Sequence, residues 1–225
     1  MRIQDQPDPY IVPHCEKQIE ILHQDDDLLL INKPDGLLSV PGRHPLNKDS
    51  VINRLREDFP EAEMAHRLDL DTSGIMVVPL HKECLRYVNR LFQEREVDKT
   101  YTAVVYGVVE ANTGKIELPL IKDWPNRPLQ KVCHESGKWA LTYYEVMERN
   151  EIENSSKLLL TPVTGRSHQL RIHLSKIDHP ILGCDMYAHQ EGYDMADRLL
   201  LHATTLSFIH PSTGERLQGE CLPEF

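Results

Sequence analysis

Apolar residues along the chain fall in short runs punctuated by turn formers. Residues 19–22 and 28–31 are two such runs, separated by His23-Gln24-Asp25-Asp26-Asp27, and predict a hairpin or two adjacent strands. Lys33-Pro34-Asp35-Gly36 reads as a turn, because Pro presets φ, Asp bonds its own backbone and Gly accepts a positive φ. Asp49-Ser50 predicts a cap for a helix running to about Phe59, with Val51, Ile52 and Leu55 on one side. Residues 75–80 read as a buried strand. Residues 82–96 place Leu85, Val88, Leu91 and Phe92 at helical spacing and predict an amphipathic helix. Residues 100–105, 140–146, 158–163 and 199–208 read as further strands. A short helix is expected over 167–175, after the Thr164-Gly165 turn, and Thr213-Gly214 marks the last turn.

Strands and helices alternate without regular βαβ order, which predicts an α+β fold whose mixed, largely antiparallel sheet is flanked by helices. No internal repeat or Gly/Ser linker interrupts the chain. Residues 19–225 are therefore expected to form a single domain behind an irregular, proline-containing arm at residues 1–18. The longest apolar runs are far short of the roughly 20 residues a membrane-spanning helix needs. The first residues carry neither the basic nor the apolar region of a secretory signal. A cytoplasmic protein with no membrane partner is expected, and nothing demands more than a monomer. Cys15, Cys84, Cys133, Cys184 and Cys221 are odd in number and widely spaced, so free thiols are expected rather than a disulfide framework.

Charge sharpens the picture through its distribution. The formal net charge of -10 over 225 residues argues, as a total, against a nucleic-acid partner. Yet residues 157–176 carry Lys157, Arg166, Arg171 and Lys176, with His168 and His173 and no acid. Residues 123–138 hold Arg127, Lys131 and Lys138 against Asp123 and Glu135. A local positive surface binds phosphates while the rest of a protein stays acidic, although a solvated face shows the same pattern. The dinucleotide fingerprint GxGxxG, the phosphate loop GxxxxGK[ST], the zinc motif HExxH and the hydrolase elbow GxSxG are all missing. The 12 histidines are scattered, and neither a cofactor nor a metal is expected.

Three segments carry candidate chemistry. His66-Arg67-Leu68-Asp69-Leu70-Asp71-Thr72-Ser73-Gly74 is a polar loop delivered by the strand that follows it, the usual place for a reactive group. Each Asp there also suits a simple turn. Residues 99–107 put Tyr101 on a strand, where a half-buried structural tyrosine is equally at home. Thr164-Gly165-Arg166-Ser167-His168-Gln169-Leu170-Arg171-Ile172-His173 sets Arg171 at the edge of a buried helix face, where a guanidinium needs a carboxylate partner.

These segments resemble the RluA family of pseudouridine synthases. Residues 66–74 match its HRLDxxTSG motif at every specified position, and Thr164 to His173 match TGRxHQLRxH. Asn32-Lys33-Pro34-Asp35-Gly36-Leu37 resembles NKPxGL, and His179-Pro180-Ile181-Leu182-Gly183 and Leu199-Leu200-Leu201-His202-Ala203 resemble further signatures. The likeness covers residues 19–225 in family order. Residues 123–133 and the short N-terminus are similar to a small dual-specificity branch without the extra N-terminal RNA-binding domain of other members. Asp178 and Cys184 depart from the usual pattern around the HPILG segment, which bears on local loop shape.

The resemblance implies a single catalytic domain of the pseudouridine synthase fold that isomerises uridine in RNA without a cofactor. It implies Asp69 as the catalytic carboxylate, acting as nucleophile or base. Arg171 is its implied ion-pair partner, favouring the ionised form in a water-poor pocket. Tyr101 is implied to stack on the flipped uracil. His66, Arg67, Arg127, Lys131, Arg166 and His168 are implied in RNA binding or base flipping, with Arg67 helping to fill the gap left by the extruded base. Extruding the target from its stack costs a few kcal/mol, less for a loop uridine, which favours stem-loop substrates. The branch likeness implies the tRNA anticodon stem-loop and 23S ribosomal RNA. Two alternatives stand beside this reading. One is an aspartic-protease-like homodimer using Asp71-Thr72-Ser73-Gly74, and the other is a non-catalytic RNA-binding module.

Overall fold

The computed structural model describes residues 10–225, so the first nine residues of the expected arm lie outside the described residues. Residues 10–19 follow without regular structure. The elements are then β1 (Glu20–Gln24), β2 (Leu28–Lys33), α1 (Val51–Leu55), β3 (Ser73–Pro79), α2 (Lys82–Glu94), β4 (Asp98–Tyr106), β5 (Thr113–Glu117), β6 (Leu120–Lys122), β7 (Gln130–Val132), β8 (Leu141–Asn150), β9 (Ser155–Pro162), α3 (Gln169–Ser175), α4 (Gln190–Asp194), β10 (Leu201–Ile209) and β11 (Arg216–Glu220). They pack as two compact units. Of the described residues, one holds 10–99 together with His202–Glu224, and the other holds Thr100–Leu201 with Phe225.

In the first unit the strands lie in the order β1-β2-β3-β10, with β11 on β10. Pairing is antiparallel except between β3 and β10. Leu28 to Ile31 and Ile75 to Val78 are at most 1% exposed, which is why these strands read as continuous apolar runs rather than alternating ones. Helix α2 buries Cys84, Val88 and Leu91, and His81 caps it by accepting the Cys84 N–H. Ser50 caps α1 as expected, but that helix ends at Leu55 rather than Phe59. Glu57 and Asp58 would place negative charge at a helix C-terminus, and Pro60 drives Phe59 away from helical angles.

In the second unit β4, β9, β8 and β5 form an antiparallel sheet, and β6 and β7 form a separate hairpin. Its core gathers Ala103 and Val105 of β4, Leu158 and Leu160 of β9, and Leu170 and Leu174 of α3. The α+β class with a mixed, largely antiparallel sheet is thus the one observed. Strands β5, β6, β7 and β11 and helix α4 were not foreseen. They are short, and sequences such as TGKIE and RLQGE carry too few apolar residues to show a period. Among the described residues no helix is long and apolar enough to cross a membrane.

Candidate active site

In the first unit, the Asp69 loop is held by its backbone on both sides of the acid. The Ser39 hydroxyl donates to the Leu68 carbonyl (2.8 Å) and accepts the Leu68 N–H (3.1 Å). The Leu70 carbonyl accepts from the Gly36 N–H (3.0 Å) and from Lys33 Nζ (3.0 Å). Lys33 Nζ also donates to the carbonyls of Pro34 (2.8 Å) and Leu37 (2.7 Å), so all three ammonium protons are used. This lysine is fully buried. Burial lowers its amine to about 8 against the opposing pull of the Asp71, Asp35 and Asp69 carboxylates. It is therefore charged at neutral pH. Asp69 itself is half-buried and Arg67 is exposed.

His66 is half-buried and packs against the protein. Its Nε2 accepts the Val77 N–H (3.1 Å) and its ring lies 4.7 Å from that of Phe92. Burial, with the Lys99 charge nearby, lowers the imidazole to about 3, so it is neutral and fixes the start of the loop. The end of the loop is locked to β10. Ser73 Oγ lies 2.8 Å from His202 Nδ1, whose ring donates from Nε2 to the Cys221 carbonyl (3.0 Å). Gly74 has φ +112, and a Cβ there would sit 2.2 Å from the Ala203 carbonyl oxygen. The Thr-Ser-Gly and His-Ala signatures are thus two sides of one β3–β10 contact.

In the second unit, Tyr101 lies half-buried on β4 opposite Leu160 and packs against the core. Arg171, on α3, is 1% exposed. Its Nη2 donates to Asp185 Oδ1 (2.5 Å), and Nε and Nη2 both lie 3.3 Å from Cys184 Sγ. The guanidinium carbon stands 5.6 Å from the centre of the Tyr187 ring. Asp185 is thus one carboxylate that meets this buried arginine within the unit, beside Cys184. The Tyr187 hydroxyl in turn accepts the Gln130 N–H (3.0 Å) and lies 2.6 Å from His168 Nδ1. Gln169 staples the preceding turn, accepting from Thr164 Oγ1 (2.7 Å) and the Arg166 N–H (3.0 Å).

The expected RNA-binding cations divide between two places in this unit. Arg166 and His168 flank the start of α3, with Arg166 Nε donating to the Trp139 carbonyl (3.2 Å). Arg127 and Lys131 lie on the β6–β7 hairpin. Lys33, Ser39, Asp185 and Tyr187 were not among the sequence candidates. Lys33 left a signal in its place in the NKPxGL segment, closing a strand that opens with four apolar residues. The others sit in irregular segments that show no periodicity.

His23, Asp25, Asp27, His81 and His210 converge elsewhere in the first unit. Ligand atoms of Asp25, Asp27 and His210 lie within 4.8 Å of one another. His81 and His210 each accept backbone N–H groups at Nδ1, so each turns a donating Nε2–H toward a carboxylate. That tautomer makes the group a hydrogen-bonded cluster tying two strand turns to the cap of α2, rather than a ligand set.

The family model for RNA pseudouridylate synthases matches residues 27–176. The chain belongs to this family. The matched stretch runs through both units and includes the Asp69 loop, Tyr101 and Arg171. The chain is 53% identical over 205 residues to the dual-specificity RNA pseudouridine synthase RluA of Yersinia pestis, covering 91% of this chain and 99% of that protein. It is 50% identical over 213 residues to the protein of the same description from Escherichia coli K12, covering 95% and 97%. Among solved structures, human RNA pseudouridylate synthase domain containing 1 superposes with a TM-score of 0.79 at 29% identity, covering 95% of this chain and 86% of that one. Human RNA pseudouridylate synthase domain containing 4 gives 0.74 at 28% identity, covering 91% and 89%. The chain is thus an RluA-type pseudouridine synthase, an isomerase that forms pseudouridine in RNA. Family membership removes the aspartic-protease-like alternative, and in the structure Ser73 and Gly74 of that motif are buried strand residues.

Proposed function

We propose that Asp69 is the carboxylate that carries the isomerisation, with Arg171 as its ion-pair partner and Tyr101 stacking on the flipped uracil. The bond between C1′ of the ribose and N1 of the base breaks, the ring turns, and C5 bonds to C1′. The proton lost from C5 is balanced by one gained at N1, so no redox partner or co-substrate enters. Asp69 acts as nucleophile or base in this sequence. The observation that carries the reading is the four-bond backbone clamp on Leu68 and Leu70 by Lys33, Gly36 and Ser39, together with the turn from Thr72 N–H to the Asp69 carbonyl. A loop needs such fixing when the residue at its centre must meet a reacting atom within a fraction of an ångström. The substrates proposed are the tRNA anticodon stem-loop and a 23S ribosomal RNA stem-loop, bound in the cytoplasm by a monomer. The dual-specificity description of the bacterial relatives supports this choice.

The test is direct. Asp69→Asn protein, incubated with uridine-containing stem-loops, is expected to lose at least about 100-fold in turnover while still binding RNA. Retained conversion would remove Asp69 from the chemistry. Arg171→Ala is expected to lose kcat more than affinity. Loss of affinity alone would make Arg171 a phosphate contact. Binding by the wild-type chain without any conversion would leave a non-catalytic RNA-binding module.

A further inference from the structure

We propose that Trp124, at the tip of the β6–β7 hairpin, stacks on an unpaired base of the substrate RNA outside the reacting uridine, with Lys122 and Arg127 meeting the adjoining phosphates. The inference rests on the chain acting on RNA stem-loops and adds a contact surface remote in sequence from Asp69, Tyr101 and Arg171.

Trp124 is 64% exposed, an unusual position for a large ring whose burial is ordinarily favourable. Two cations attend it: Lys122 Nζ stands 4.7 Å and the Arg127 guanidinium carbon 5.5 Å from the ring centre. The tip is rigid. Asp123 Oδ2 accepts from Asn126 Nδ2 (2.8 Å) and Oδ1 from Lys131 Nζ (3.0 Å). Backbone bonds from Asn126 N–H to the Asp123 carbonyl (3.0 Å) and from Asp123 N–H to the Leu129 carbonyl (2.9 Å) close the turn. An aromatic ring held out on a fixed turn is pre-organised for a flat partner, so little ordering entropy remains to be lost on binding.

The root of the hairpin is equally defined. Leu120 is buried in a small cluster with Ala140 and Ile172, the neighbour of Arg171, and Gln130 is hooked by the Tyr187 hydroxyl (3.0 Å). Tyr187 is also the residue whose ring faces Arg171. The tip therefore rides on the same helix that carries Arg171, and a base stacked on Trp124 has a set position relative to it.

Charge selects the partner. In a chain of net charge -10, residues 122–131 carry Lys122, Arg127 and Lys131 against Asp123 alone. An apolar protein partner would be met by apolar neighbours, whereas this ring is attended by two cations. Every nucleobase offers a π-face, and flanking cations take phosphates, so an aromatic–cation tip matches a single-stranded loop without reading its sequence.

The experiment uses the full chain. The sequence has two tryptophans, Trp124 and Trp139, so a Trp139→Phe background leaves Trp124 as the sole reporter. Titration with a uridine-containing RNA stem-loop is expected to quench its emission, and titration with the stem as a fully paired duplex is not. Trp124→Ala is expected to weaken stem-loop affinity about 5- to 100-fold, with most of it restored in Trp124→Phe. In turnover assays the loss should fall on KM rather than kcat. Unchanged affinity in Trp124→Ala, or equal quenching by duplex and stem-loop, would overturn the stacking proposal while leaving the assignment of Asp69 intact. Failure of Asp69→Asn to lose conversion, with Trp124 quenching retained, would do the reverse.

Discussion

Lys33 shows how much one buried side chain decides. Its ammonium satisfies three carbonyls, one of them on the Asp69 loop, at 2.7 to 3.0 Å. Methionine is close in length but cannot donate. Lys33→Met leaves three buried acceptors short of a proton, a cost of about 1–3 kcal/mol in stability. Gly36 still donates to Leu70, so the loop is loosened rather than released. We expect thermal melts to show this loss and steady-state assays to show a fall in kcat larger than any change in RNA affinity. An unchanged kcat would mean the clamp is not needed for turnover. The resemblance to NKPxGL marked this lysine's neighbourhood, yet nothing along the chain said that its charge would lie under Leu70.

At the level of elements, the pairing of β3 with β10 carries the end of the Asp69 loop. Gly74 is required there by two independent facts, a positive φ and an approach of 2.2 Å between an added Cβ and the Ala203 carbonyl oxygen. Gly74→Ala must separate the strands or twist them, and is expected to cost at least about 3 kcal/mol. A Tm within a degree or two of the parent would contradict that packing. Elements with strong apolar runs or stripes, such as β2, β3 and α2, were legible because burial imposes their pattern. The β6–β7 hairpin was not, because its three-residue strands are held by Leu120 and by Tyr187, far along the chain. The length of α1 was misjudged because the apolar spacing persists beyond the point where Pro60 ends helical geometry.

On the scale of the whole molecule, two histidines packed into the protein, His66 half-buried and His173 buried, shape the acid response. Burial lowers His66 to about 3 and His173 to about 4, from an ordinary value of 6.5. The unfolded chain therefore binds more protons below 6.5, and the stability from keeping these rings neutral is complete above that value and lost as pH falls toward their folded values. At pH 5 each forfeits up to about 2 kcal/mol. The carboxylates held low by hydrogen bonds, Asp25, Asp27 and Asp49, act only below about 3.8 and leave this window to the histidines. Melts at pH 7.5 and pH 5 should differ by about 5–10 °C, and a flat profile would show that neither ring is sealed as described. The sequence by itself determined the α+β class, the long apolar strands, the amphipathic helix and the family, because burial periodicity and contiguous motifs are local properties of a chain. Only the tertiary structure decided that Asp185 holds Arg171, that Lys33 and Ser39 pin the Asp69 loop, and that His202 and Ala203 back onto Ser73 and Gly74. Those are contacts between side chains and backbone groups brought together by packing, and no spacing along the chain encodes them.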